Sequence, residues 1–136
     1  MAGTATRPGG SGFLSQIAEQ KIENVVVIGG DIHSFWVTDL KQDFGDPNSP
    51  TVATEFVGTS VTSEGVPYDV FNGFLPENPH IKFFESRERG YARIDVSPEL
   101  WRTDLRVVDT ITQPEATART LGSYVVEKGK AGAQPA

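Results

Sequence analysis

Val25-Val26-Val27-Ile28-Gly29-Gly30-Asp31-Ile32-His33-Ser34 is the stretch that decides how this chain is read. Four β-branched residues in a row predict a buried strand, because branched side chains suit a pleated, covered surface. Two glycines follow, and without a Cβ they let the backbone turn sharply or approach a ligand. Asp31 and His33 come next, two positions apart. In extended backbone such residues project from one face, so a carboxylate and an imidazole would share a point while Ile32 packs behind. A hard oxygen donor beside a nitrogen donor at a strand end is half of a metal site. The same residues also fit a plain turn, since Asp after Gly-Gly and His before Ser are common loop chemistry. The ten residues alone leave both readings open.

Upstream, Phe13, Leu14, Ile17, Ala18 and Ile22 recur at helical spacing, predicting an amphipathic helix over 13–22 with Ser11 as its cap. Before it, residues 1–12 are mostly Gly, Ala, Thr, Ser and Pro and read as a disordered leader. They contain neither an apolar signal-peptide core nor paired arginines. Downstream, Phe35–Leu40 and Thr51–Thr59 read as strands, the latter with Val52, Thr54 and Phe56 on one face. Between them, 42–50 is a loop by composition. Pro67–Leu75 is a short helix that starts on Pro67 and ends at Pro76.

Ile81–Glu85 is another strand. Ala92, Ile94 and Val96 alternate with polar neighbours, as do Trp101, Thr103, Leu105 and Val107. With the spacer Ser97–Leu100 these two runs predict an antiparallel hairpin. Arg93 and Asp95 then oppose Asp104 and Arg102 as cross-strand charge pairs on a solvated face. Tyr124–Glu127 reads as a final edge strand, and 129–136 as a disordered tail. The elements sum to a strand-rich α/β chain, with a mixed sheet, a C-terminal antiparallel hairpin and one or two helices.

The chain has 136 residues, the scale of one domain or part of one, and a net charge of -6. That acidic balance disfavours phosphate-backbone binding, so nucleic acid is not an expected partner. It holds no cysteine, which excludes disulfides, zinc thiolates and a cysteine nucleophile within the chain. No apolar run approaches the roughly 20 residues of a membrane span.

Five blocks, in order, resemble one family. They are Gly30-Asp31-Ile32-His33-Ser34 with its preceding strand; Thr54-Glu55-Phe56-Val57-Gly58-Thr59-Ser60; Asn78-Pro79-His80-Ile81-Lys82-Phe83-Phe84; Arg89-Gly90-Tyr91; and Trp101 through Val108. Together they are similar to the C-terminal half of alkaline phosphatase D (PhoD)-like metallophosphatases, a group that includes secreted phospholipase D-type phosphodiesterases. The resemblance covers 13–128 and implies part of a calcineurin-like α/β sandwich. It implies a multinuclear centre of iron and calcium that hydrolyses phosphate monoesters and diesters. It also implies export from the cytoplasm, though the chain itself shows no signal.

By that match Asp31 and His33 are metal ligands, in the place where many relatives carry His-x-His. Most remaining ligands of the family lie upstream of the matched region and include a cysteine that this chain lacks. Calcium takes about six to eight oxygens, so two donors do not fill a site. The chain alone is therefore expected to be inactive, to need an upstream half or a second copy as partner, and to bind no metal by itself. The alternative is a non-catalytic interaction module derived from a truncated phosphatase, kept for its sheet.

Other residues carry weaker expectations. His80 is a catalytic candidate near the substrate pocket or a hydrogen-bonded loop histidine. Trp36 and Trp101 read as packing. Thr59, Ser60, Thr62 and Ser63 either line a phosphate pocket or satisfy loop backbone. Lys82, Arg87 and Arg89 read as solvated strand-end charges that are able to attract phosphate. Arg102 and Arg106 are assigned to the outer hairpin face, and Glu55 to an exposed face or to support of a site.

Overall fold

The computed structural model describes residues 8–136. Its elements in chain order are α1 (Pro8–Glu19), β1 (Val26–Gly29), β2 (Phe35–Lys41), β3 (Thr51–Val57), α2 (Tyr68–Asn72), a 3-10 turn (Leu75–Glu77), β4 (Ile81–Glu85), β5 (Gly90–Val96), β6 (Leu100–Val108), β7 (Ala118–Glu127) and β8 (Gln134–Pro135). The strands form two four-stranded sheets, ordered β1-β3-β2-β4 and β5-β6-β7-β8. The first is mixed, with β1 parallel to β3 and the other pairs antiparallel. The second is antiparallel throughout. The strand-rich α/β class with a C-terminal hairpin is thus the fold observed. No helix among the described residues is long and apolar enough to cross a membrane.

Alternation along the strands builds the core. Phe35, Val37 and Phe56 from the first sheet meet Leu105, Val107 and Val126 from the second. Phe56 stacks on Trp101 with ring centroids 6.5 Å apart, and Phe83 meets Tyr124 at 5.9 Å. These contacts close a face-to-face sandwich. On the outer face of the first sheet, Leu14 and Ile17 of α1 pack on Ala53. Elsewhere on the first sheet, Phe71 of α2 and Tyr68 join Trp36 and Phe84 in an aromatic cluster, the closest pair being Trp36–Phe84 at 4.4 Å.

Several expectations are corrected. The helix predicted over 13–22 runs Pro8–Glu19, with Ser11 inside it and not at its cap, and it ends sooner because Lys21 turns left-handed at φ 52°. Ile22 N–H then reaches Ile17 C=O and Lys21 N–H reaches Ala18 C=O, a Schellman closure without the usual glycine. Of the expected leader, residues 1–7 lie outside the described residues. Strand β1 is not buried: it is an edge strand, half-buried at best, with Ile28 62% exposed. A run of branched residues reports sheet propensity, and only the position in the sheet decides coverage.

The face carrying the hairpin charges is not simply solvated either. The register pairs Arg93 with Asp104 and Asp95 with Arg102 as expected, but Asp104 is 1% exposed. Strand β7 pairs along nearly all of β6 and is no edge.

The segment 129–136, expected as a loose tail, folds back as β8 against β7 and seats Ala133 in the core. Thr54 Oγ1 accepts from Gly132 N–H at 3.0 Å, and Lys82 donates to Ala133 C=O at 2.5 Å. Asn24 Oδ1 accepts from Gly129 N–H at 2.7 Å. Buried backbone needs partners, and the first sheet supplies them from residues far off in sequence.

Candidate functional site

Sheet pairing brings three loops to one end of the first sheet. Gly29 at the end of β1 pairs with Val57 at the end of β3. Trp36 near the start of β2 pairs with the same Val57, and Phe35 pairs with Glu85 at the end of β4. The connections 30–34, 58–65 and 86–89 therefore emerge side by side. Asp31 and His33 sit on the first of them.

The backbone there is not extended, so the alternation argument fails. Asp31 has φ 75° and His33 has φ 59°. The glycines were the expected turn-formers, yet the glycines with positive φ among the described residues are Gly129 and Gly132. A Cβ on Gly30 would meet nothing within 4 Å. The left-handed positions are thus occupied by the acid and the imidazole themselves. Asp and His tolerate this region better than most residues, but each costs on the order of 1–3 kcal/mol, and such strain concentrates at functional sites.

The two side chains are engaged differently. His33 Nδ1 lies 2.9 Å from the backbone carbonyl of Glu64. A carbonyl only accepts, so Nδ1 carries a proton, and in the neutral ring Nε2 keeps the lone pair. Asp31 is exposed. Beneath them Ser34 is fully buried; its hydroxyl accepts the Trp36 indole N–H at 2.8 Å, pinning the loop to β2.

Arg89, expected as a solvated strand-end charge, is 6% exposed. Its guanidinium donates to Ser60 Oγ, to the Ser63 carbonyl and to the carbonyls of Ser86 and His33. The hydroxyls of the 59–63 segment serve backbone: Ser60 donates to Ser63 C=O and Thr59 to Glu88 C=O. Glu64, Gly65 and Ser34 were not singled out by sequence reasoning. Glu64 and Gly65 act through long-range backbone contacts, and the one visible signal for them was the clustering of small and hydroxyl residues in 58–65.

The remaining candidates lie elsewhere or are engaged. His80 precedes β4, at the end away from this loop, and its carbonyl accepts from Asp39 N–H at 2.8 Å. Its ring packs on Phe44 at 4.9 Å. Burial and the nearby Lys41 charge lower its pKa, partly offset by Asp39. The structure does not bring it to Asp31 and His33. Lys82 pairs with Asp39 at 2.9 Å. Arg87 binds both oxygens of Glu85 and caps the Tyr68 ring at 3.7 Å; its hydrogen bond to Glu85 is the main reason that carboxyl titrates low. Glu55 is half-buried in an open groove of about 480 Å³ that also touches Gly30, Ile32 and His80, and burial raises its pKa.

Among the described residues no three His, Cys, Asp or Glu side chains come together. What the loop offers is two donors, one with a tautomer fixed by a backbone carbonyl, the usual second partner of a metal-binding histidine. Two donors are too few to make a metal centre by themselves.

Comparisons with known proteins bear on the same region. The profile of the PhoD-like phosphatases matches residues 4–105. The chain is 41% identical over 122 residues to alkaline phosphatase D of Bacillus subtilis (strain 168), taking in 88% of this chain and 21% of that protein. It superposes on a solved structure of PhoD with a TM-score of 0.79 at 35% identity, covering 92% of this chain and 24% of the other. It therefore spans about a fifth to a quarter of the length of these relatives. On the matched profile, the shared sequence and the shared sandwich, the chain belongs to the PhoD-like phosphatase family.

Proposed function

We propose that this chain supplies the Asp31–His33 donor pair to a metal-dependent phosphoester hydrolase whose other ligands come from additional polypeptide. The observation that carries the reading is the left-handed backbone at both donors, together with the fixed Nδ1–H tautomer of His33. A turn made only to reverse the chain would have put that strain on Gly29 or Gly30. The Asp31 carboxylate suits a hard cation of the calcium kind, and the His33 imidazole a transition metal such as iron. When bound, the metal supplies Lewis acidity toward the phosphoryl group and an activated nucleophile. The chain's own part is to hold His33 through its Nδ1 contact and to present the exposed Asp31 carboxylate on the same loop. The substrates consistent with the family are phosphate monoesters and diesters.

The test is Asp31→Ala and His33→Ala in whichever assembly turns over p-nitrophenyl phosphate and bis(p-nitrophenyl) phosphate, with metal content measured in parallel. Both substitutions are expected to cut metal content and to reduce hydrolysis to background. Full turnover with unchanged metal content in both variants would refute the proposal.

A further inference from the structure

A strained loop relaxes unless its surroundings over-determine it, and the surroundings here converge on one side chain. Arg89 Nη2 donates to Ser86 C=O at 2.5 Å and to His33 C=O at 3.3 Å. Its Nη1 donates to Ser60 Oγ at 2.6 Å and to Ser63 C=O. The acceptors thus come from all three loops at this end of the sheet. They are all uncharged oxygens, and a buried guanidinium held only by neutral acceptors is a costly way to stabilise a fold, where an apolar side chain would serve. A planar fork with five donors can bridge such a set; an ammonium cannot.

Gly65 closes the same junction. A Cβ there would lie 2.2 Å from Ser86 C=O, 2.7 Å from Arg89 Nη2 and 2.7 Å from His33 C=O. The residue before it, Glu64, provides the carbonyl that receives His33 Nδ1–H. Contacts that seat Gly65 therefore also aim the imidazole.

We infer that Arg89 is a positioning residue, which with Gly65 locks the His33 backbone against the Glu64 carbonyl and so fixes the direction of His33 Nε2. The lock stands on this geometry; its purpose rests on the metal-donor reading above. It acts through three backbone carbonyls and the Ser60 hydroxyl, so charge alone does not replace it.

The experiment uses the 136-residue chain. Imidazole nitrogen NMR shifts read the His33 tautomer, and native-state amide exchange reads the loops. Arg89→Lys is expected to convert His33 from one tautomer to a mixture. It should also speed exchange at 31–34 and 60–65 at least tenfold while the β6–β7 ladder keeps its protection. Gly65→Ala should do the same without altering any charge. In Arg89→Ala, millimolar methylguanidinium should restore part of the loop protection. Where the complete metal centre is assembled, Arg89→Lys should weaken metal affinity or turnover about 10- to 100-fold, with KM little changed.

Unchanged tautomer and loop exchange in a folded Arg89→Lys or Gly65→Ala protein overturns the inference. Global unfolding in both variants overturns it too, since the junction would then be a folding element and no local lock. A loosened loop combined with undiminished metal content in His33→Ala would leave the lock standing and remove the metal-donor reading.

Discussion

At the open end of the first sheet Asp31 stands exposed on left-handed backbone. In the middle of the second sheet Asp104 is 1% exposed. One carboxylate is thus presented and the other consumed. Asp104 Oδ1 accepts from Ser123 Oγ at 2.6 Å and from Arg102 Nε at 2.9 Å, and Oδ2 meets Arg93 Nη2 at 2.5 Å. Its pKa is held down first by the Ser123 hydroxyl, then by Arg93 and Arg102. Every partner comes from a neighbouring strand in register or from β6 itself. Among the described residues no hydrogen bond or ion pair holds the Asp31 carboxylate. The second sheet satisfies its own polar groups, while the first sheet spends conformational energy to display two of them.

That contrast can be broken most severely at the loop. Asp31→Ala or His33→Ala should bring hydrolysis by an assembled enzyme to background while the melting temperature of the chain stays within a few degrees. A large stability loss with intact activity would reverse the roles of the two regions.

At the other pole, Asp104→Ala should cost about 2 kcal/mol in denaturant unfolding, because it leaves a buried gap and strands the Ser123 hydroxyl, while the half-exposed Arg93 and Arg102 turn to water. Metal content should not change. The pH dependence follows from the lowered pKa. Asp104 contributes stability above its ordinary value of 3.8, and that contribution disappears as pH falls through the lower folded value. Asp104→Asn should therefore flatten the acid limb of the stability profile below pH 4, leaving its neutral-pH shape alone.

Removing 129–136 should cost about 2 kcal/mol, since it orphans Thr54 Oγ1, takes the Ala133 N–H from Asp39 and exposes core beneath Ala133. Stability unchanged by that truncation would show the segment to be dispensable. A gain is expected from Asp31→Gly. Glycine adopts φ 75° without a Cβ penalty, so unfolding should become about 1 kcal/mol less favourable while the donor is lost. The smallest effect belongs to the exposed Arg119–Glu88 pair, 2.6 Å apart; Arg119→Ala should shift stability by no more than about 0.5 kcal/mol.

Much of this architecture was legible in residue order. Period-two alternation in 92–107 gave the hairpin and its charge register, because side chains on a strand switch faces at every residue. The ordered blocks around Asp31-Ile32-His33 pointed to the family. Where the reading erred, the cause was nonlocal. Val25–Ile28 looked buried because branching reports propensity and not neighbours. The last eight residues looked loose because Gly and Ala advertise nothing; Thr54, Asp39 and Asn24 hold them from up to 105 positions away. Arg89 looked solvated because no local pattern marks an arginine whose acceptors are drawn mostly from two other loops.

The sequence by itself determined most of the strands, the hairpin register and the family-like blocks around Asp31 and His33, since these follow from local periodicity and side-chain chemistry. Tertiary structure alone decided that Asp31 and His33, rather than the glycines, bear the left-handed backbone, and that Arg89 is buried beneath them. The physical reason is that strain and burial are set by what presses on a residue from distant parts of the chain, and strand order in the sheet chooses those neighbours.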